Sequence, residues 1–341
     1  MNRKLLLGLT QKNTAHAPVD PPISVDEMFR RTREAGVFDY FDKTPPEDEV
    51  GDYRRASDKY ELPILGGGWF YVLGRDEALL DRNLRLGGTL GSKVHNTQVM
   101  AAGADGRAVT DEQVAELYLH AYDVGQAVGV TPCFEVHVNM WSEDFRRVER
   151  VAGLVGKRGV PYCMTLDHSH IIFKMDNPKE WDEFSVDDPA ERATYSIRAA
   201  VESGELVLDP LKPGSVCARW IDAGYVRHMH ARAAVPNGPE NVWAKHPGGR
   251  TGRGIQYPFI EPAPGEWHSP WEEARLEPWK EVVRQMLQHH ATHEESDMQI
   301  STEFIPNTDY GEGAKYSLLA NGIACARWMR QTWQQILAQA A

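Results

Sequence analysis

Cysteine is scarce and badly spaced for structural use. The chain has four, Cys133, Cys163, Cys217 and Cys325, and no two form the short pairs of a zinc knuckle or a disulfide framework. No apolar run approaches the length needed to cross a bilayer. Positive charge is also short: 37 Lys and Arg stand against 49 Asp and Glu, a formal net charge of -12. That balance excludes the basic stripe of a nucleic-acid surface and the polybasic patch of a membrane contact. There is no internal repeat and no low-complexity tract. The start, Met1 to Thr10, is basic and then apolar, but its apolar run is too short for a signal peptide and no small-residue cleavage site follows. It is expected to be a first β-strand of a cytoplasmic protein. The turn after it reads Thr10-Gln-Lys-Asn13, without the glycine pattern of a dinucleotide-binding open sheet. Gly66-Gly67-Gly68 also lacks the spacing of a phosphate cradle and reads as a structural loop.

What is present is regular alternation. With 341 residues, 42% of them hydrophobic, the chain can bury a sizeable core. Ser24-Val-Asp-Glu27 and Thr110-Asp-Glu-Gln113 are capping boxes that open helices. Strands are expected at 37–42, 132–139, 161–167, 225–232 and 297–305, with helices between them. Two further segments, 62–65 and 93–98, and the opening strand bring the total to about eight. Eight strands alternating with helices in this length predict a single α/β domain over 1–341, a (β/α)8 TIM barrel with a long insertion after strand 7. The insertion is the Pro-, Gly- and Trp-rich segment 235–271.

Four of those strands end in metal-capable chemistry. They are Cys133-Phe-Glu135-Val-His137, Thr165-Leu-Asp167-His168-Ser169-His170, His228-Met-His230-Ala-Arg232 and Ser301-Thr-Glu303. A barrel explains the convergence, because its C-terminal face gathers all βα loops around one mouth. Alternation puts Glu135, His137 and Asn139 on one face of their strand. Polar groups on the inward face are costly unless paired or metal-bound. One reading is a buried salt bridge, for example with Arg232. The metal reading is preferred, because the carboxylates Glu135, Asp167 and Glu303 converge without matching bases. Of His228 and His230, one is expected to bind the ion and the other to hold substrate or a supporting carboxylate. His95, near the end of an earlier strand, lines the pocket or is a satisfied core histidine. Trp243, Trp267 and Trp271 form an apolar wall over a sugar ring or pack loop onto barrel.

These residues resemble the xylose isomerase-like TIM barrels, the family of sugar isomerases, epimerases and polyol dehydratases. In that family four strands supply Glu, Asp, His and Glu to a metal. The resemblance implies Glu135, Asp167 within Asp167-His168-Ser169-His170, His230 within His228-Met229-His230, and Glu303. Three carboxylates and an imidazole suit a divalent ion with open positions, Mn²⁺ first and Mg²⁺, Co²⁺ or Zn²⁺ after it. Such an ion acidifies the C–H beside a chelated carbonyl, which serves isomerisation, epimerisation or β-elimination alike. The expected function is therefore a metal-dependent isomerase or epimerase of a sugar, keto-sugar or polyol. The alternative is a lyase, either a polyol dehydratase or the large subunit of a C-glycoside deglycosidase. An endonuclease or a non-catalytic sugar-binding protein ranks below both.

His137 stands where xylose isomerases carry a lysine and where epimerases have an apolar residue. This departure and the long insertion leave room for the deglycosidase subunits, which need a small partner subunit. Otherwise a homo-oligomer is expected. From the strand alternation, His137 is predicted as an acid/base alongside Glu135 and Glu303. His170 and Arg232 are predicted to orient substrate oxygens, with His95, His228 and Trp267 as further substrate contacts. The 235–271 segment is expected to cover the mouth as a lid or to meet a partner.

Overall fold

The structure is a computed structural model, and residues 4–16, 21–246, 248–293 and 297–340 are described. Nine parallel strands form one sheet: β1 (Leu5–Thr10), β2 (Tyr40–Asp42), β3 (Ile64–Gly66), β4 (Gly68–Tyr71), β5 (Val94–Val99), β6 (Thr131–Glu135), β7 (Met164–Leu166), β8 (Val226–Ala231) and β11 (Met298–Thr302). Their order is β3-β2-β1-β11-β8-β7-β6-β5-β4. The two outermost strands, β3 and β4, are consecutive in the chain and separated only by Gly67. Lys93 N–H donates to Leu65 O (2.8 Å) and Asn96 N–H to Gly67 O (2.7 Å), so one interrupted strand closes the ring. The result is the eight-stave barrel expected from the alternation.

Gly66 and Gly68 are thus strand residues and not loop, with Gly67 the break between them. A Cβ on Gly66 would lie 2.7 Å from Asp42 Oδ2, one on Gly68 2.8 Å from Asn96 Cβ, and one on Gly67 would strike the Thr44 hydroxyl. Only glycine lets the backbone pass this close to its neighbours.

Side-chain alternation splits each stave between helix layer and lumen. Leu5, Leu7 and Leu9 of β1, Met229 and Ala231 of β8, and Met298 and Ile300 of β11 join the main core under the helices. The alternate positions carry Asn96, Gln98, His228, His230 and Ser301 into the lumen, bonded to one another and to inward carboxylates. Barrel interiors are usually filled by branched apolar residues; this one is polar, which costs stability unless every group finds a partner. The helices at 25–34, 77–90, 111–128, 146–156, 277–293 and 318–340 surround the staves. Thr110 caps its helix as predicted, with Thr110 and Gln113 bonding each other's backbone. Among the described residues no helix is long and apolar enough to cross a membrane.

The segment after β8 forms an antiparallel hairpin, β9 (Asn241–Lys245) with β10 (Thr251–Gly252). It packs on the loop that follows β11: Asn241 Nδ2 donates to Thr308 O (3.0 Å) and Glu312 O (2.7 Å), and Ile255 N–H to Asp309 O (2.9 Å). Since that loop leaves the C-terminal end of its stave, the hairpin stands at the mouth. Arg253, just after β10, is buried with Nη2 2.6 Å from both Glu143 Oε1 and Glu180 Oε2. Lys174 Nζ reaches the same Glu143 oxygen at 2.9 Å.

Candidate metal centre

β6 is shorter than expected and ends at Glu135, so strand alternation does not carry past it. Glu135 itself is held from three sides. Asn96 Nδ2 donates to Oε2 (2.8 Å), Gln98 Nε2 donates to the same oxygen, and His230 Nδ1 lies 2.9 Å from Oε1. Both amides sit on β5 and face inward because they are two residues apart. His95, between Asn96 and its neighbour Val94, therefore faces outward. Its Nε2 is 2.7 Å from Tyr71 OH, which accepts from Asn83 of the helix 77–90 (2.9 Å). Burial lowers its pKa to about 3. It is a neutral histidine of the helix layer and does not line the cleft.

Asp167 caps the turn after β7: its Oδ1 accepts from Ser169 N–H (3.1 Å) and Ser169 Oγ (2.6 Å). Its other oxygen takes a hydrogen bond from Arg232 Nη2, while Arg232 Nη1 donates to Glu303 Oε2 (2.8 Å). Burial would raise the Asp167 carboxyl, but Arg232 and His170 bring it well below the usual carboxylate range. Glu303 is likewise held at about 2, burial being outweighed by His230 and Arg232. His170 accepts from Arg232 Nη2 (2.8 Å), and burial, then His137, keeps it neutral, with a pKa of about 3. Arg232 thus holds the carboxylates and His170 backs Arg232, and neither lines the cleft. His228 lies lower in the lumen, fully buried between Thr165 Oγ1 (3.3 Å) and Ser301 Oγ (3.1 Å).

One ligand atom each from Glu135, Asp167, His230 and Glu303 fall within 4.8 Å of one another. Three carboxylates against one guanidinium leave two negative charges, the complement of a divalent ion. His230 adds a second sign. Burial opposes its protonation, yet Glu303 and Glu135 push its pKa well above the usual value, so the ring is drawn to carry positive charge where an ion would otherwise supply it. Its Nε2 is buried without a hydrogen-bond partner. The donor set therefore fits a hard or borderline divalent cation.

Above this floor opens a cleft of about 1080 Å³. His230 and Glu303 reach its wall, whereas Glu135 and Asp167 are closed off below. His137 also lines it, by a turn of the chain. Its Nδ1 faces the Val138 carbonyl and so carries the proton, leaving Nε2 to accept from Tyr310 OH (3.1 Å). Tyr310 lies over the Arg232 guanidinium, 4.3 Å from ring centroid to carbon. Trp267 does not reach the cleft. It is 7% exposed and packs against Tyr257, His268 and Tyr316, the loop-to-barrel role. Among the described residues of the inserted hairpin only His246 touches the cleft, held by Asp309 Oδ1 at 2.6 Å. Sequence reasoning missed the aromatic wall, which is Trp69 and Phe70 on β4, 36% and 49% exposed. It also missed Asp42, the last residue of β2, and Lys12 and Lys43, which follow β1 and β2. Their signal was position: each stands at a C-terminal stave end.

No family model and no curated protein matches the chain. Solved structures do. A D-allulose 3-epimerase from Methylomonas sp. aligns over 97% of this chain and 99% of its own at 11% identity, with a TM-score of 0.54. A xylose isomerase-like TIM barrel protein from Mycobacterium smegmatis, in complex with magnesium, aligns over 99% and 100% at 12% identity and a TM-score of 0.51. The fold is that of the xylose isomerase-like TIM barrels. A third member of this fold, a probable 3-DHS dehydratase from Bacillus anthracis, covers 96% of the chain and 98% of its own at 11% identity and a TM-score of 0.51. Epimerisation and dehydration are thus both represented on this xylose isomerase-like scaffold.

Proposed function

We propose that the protein is a divalent-metal-dependent isomerase or epimerase of a sugar, keto-sugar or polyol. The observation that carries this reading is the convergence of Glu135, Asp167, His230 and Glu303, from four separate staves, at the floor of a cleft wide enough for a sugar. These four residues would hold the ion, whose chemistry is to polarise a substrate carbonyl and acidify the C–H beside it. The chain supplies the rest. Asn96 and Gln98 fix the orientation of Glu135, and Arg232 fixes Asp167 and Glu303. Glu303, which faces the cleft, would take a proton on one side of the substrate. His137 and Tyr310 form a hydrogen-bonded pair that can return a proton from another. Trp69 and Phe70 offer flat apolar surface to a sugar ring.

The test is hydrogen exchange. In D₂O with Mn²⁺, a panel of ketoses followed by NMR should gain deuterium at a carbon next to the carbonyl, and a chelator should stop it. Exchange that persists undiminished after chelation, or a protein that takes up no divalent metal, overturns the reading. A second reading, elimination of water, is favoured by one observation. The Tyr310–His137 pair could protonate a departing hydroxyl as readily as a carbon. A deoxy-keto product in the same NMR spectra would select it.

A further inference from the structure

Every carboxylate on the cleft wall has a partner. Asp42 accepts from Ser301 Oγ (2.5 Å), Asp76 pairs with Arg75 (2.8 Å), and Glu303 with Arg232 (2.8 Å). Asp309 is held by His246 (2.6 Å) and Glu312 by Thr308 Oγ1 (2.5 Å). Asp76, Glu303 and Asp309 thus meet a basic side chain and Asp42 and Glu312 a hydroxyl, whereas neither described lysine of the same wall is paired with an acid. Lys12, in the turn after β1, has only the neutral Asn307 Oδ1 at 3.3 Å. Lys43, the residue after β2, has its ammonium 5.4 Å above the Trp69 ring. Among the described residues no carboxylate comes within the 4.0 Å of an ion pair with either ammonium.

β1 and β2 are adjacent staves, Thr10 pairing with Asp42, so the two lysines leave neighbouring strand ends into one cleft. They are close enough to act on each other. Desolvation by the cleft walls lowers the pKa of both, and Lys12 lowers that of Lys43 further. Lys12 also feels Glu303 and Arg232, which places it beside the metal floor. Glu49 and Asp42 act on Lys43 in the opposite sense to Lys12, so the two ammonium groups, in a chain of net charge -12, gather positive charge on one side of a cleft that also carries acids.

We propose that Lys12 and Lys43 anchor an anionic group on the substrate, a carboxylate or a phosphate, so that the substrate is a sugar acid or a sugar phosphate and not a neutral sugar. The proposal builds on the sugar-directed reading above and narrows it. The anion sits at the β1–β2 side of the mouth, its ring runs along Trp69, and its reacting carbons lie over Glu303 and His230. Lysine suits this task as a compact point charge on a flexible stem.

The test is a calorimetric titration of the metal-free protein with three probes: inorganic phosphate, D-gluconate and neutral D-glucitol. We expect at least one anion to bind ten or more times more tightly than D-glucitol, and the tighter of the two identifies the anionic group. In the Lys12→Gln, Lys43→Gln and doubly substituted proteins, anion affinity should fall about tenfold or more while D-glucitol binding stays put. Anions that bind no better than D-glucitol, or that keep their affinity in the double variant, overturn the proposal. A separate Mn²⁺ titration of the same proteins keeps the two readings apart. Loss of metal binding in the unaltered protein strikes the proposed function, whereas loss of anion preference strikes only the lysine anchor.

Discussion

Two buried clusters of charge sit within reach of the same loop, and they differ in one respect. At the mouth, Glu143 and Glu180 meet Lys174 and Arg253, two acids against two bases, all within 3 Å of a partner. At the floor, Glu135, Asp167 and Glu303 meet one guanidinium and one imidazole. The matched cluster clasps the inserted hairpin to the barrel. The unmatched one is short of positive charge, and its ligand atoms crowd into one small space. Burial alone does not separate a clasp from a site, since both are buried; charge balance does. Glu135 and Glu143 make the point on a single connection, eight residues apart and belonging one to each cluster.

The comparison breaks first at the floor if it is wrong. Glu135→Gln, Asp167→Asn and Glu303→Gln should each empty the site of metal and take turnover below detection while the barrel stays folded, with elemental analysis and circular dichroism as the paired readouts. Full metal content in all three would remove the distinction. A smaller effect is expected at His137→Gln, which should keep its metal and lose about 10²–10⁴ in kcat. Steady-state kinetics on the metal-loaded variant would show it.

On the clasp side the effect is on stability. Arg253→Met leaves two buried carboxylates short of a partner and should cost about 3–5 kcal/mol, read from urea unfolding, with metal stoichiometry unchanged. The smallest change is with pH. Burial tends to raise the Glu143 carboxyl, but Arg253 and Lys174 outweigh it and hold the pKa at about 2, against an ordinary 4.5. A pKa depressed by folding contributes stability that is complete above the unfolded value. It is lost as the pH falls from about 4.5 towards 2, in all about 3 kcal/mol. Urea midpoints at pH 5 and pH 3 should therefore differ less in Glu143→Gln than in the unaltered protein.

The stave ends were legible because their chemistry is dense and local: Asp167, His230 and Glu303 each close a run of buried strand. The eight-fold alternation was legible for the same reason. Tertiary partnership was not. Nothing near Arg232 in the chain says that its guanidinium ends on Asp167 and Glu303. His95 looked like its neighbours because single-residue parity decides which face a side chain takes, and parity depends on where a strand begins. Trp267 was one of several tryptophans in a segment of uncertain path. Trp69, which does reach the cleft, was obscured by the glycines before it. The segment 235–271 was expected to cover the mouth, yet among its described hairpin residues only His246 touches the cleft.

Those glycines have a bearing on how the chain can vary in length. Gly66-Gly67-Gly68 looks like the freest place to gain or lose a residue, the kind of spot where insertions accumulate in surface loops. Yet Leu65 O and Gly67 O are the acceptors that join the two edges of the sheet. Adding or removing one residue there would slip the register and invert every position after it up to Tyr71. Tyr71 would leave its bond to His95, and Trp69 and Phe70 would exchange faces. Related chains that keep this closure should therefore show the triplet at constant length, with their gaps falling in the segment 235–271 instead.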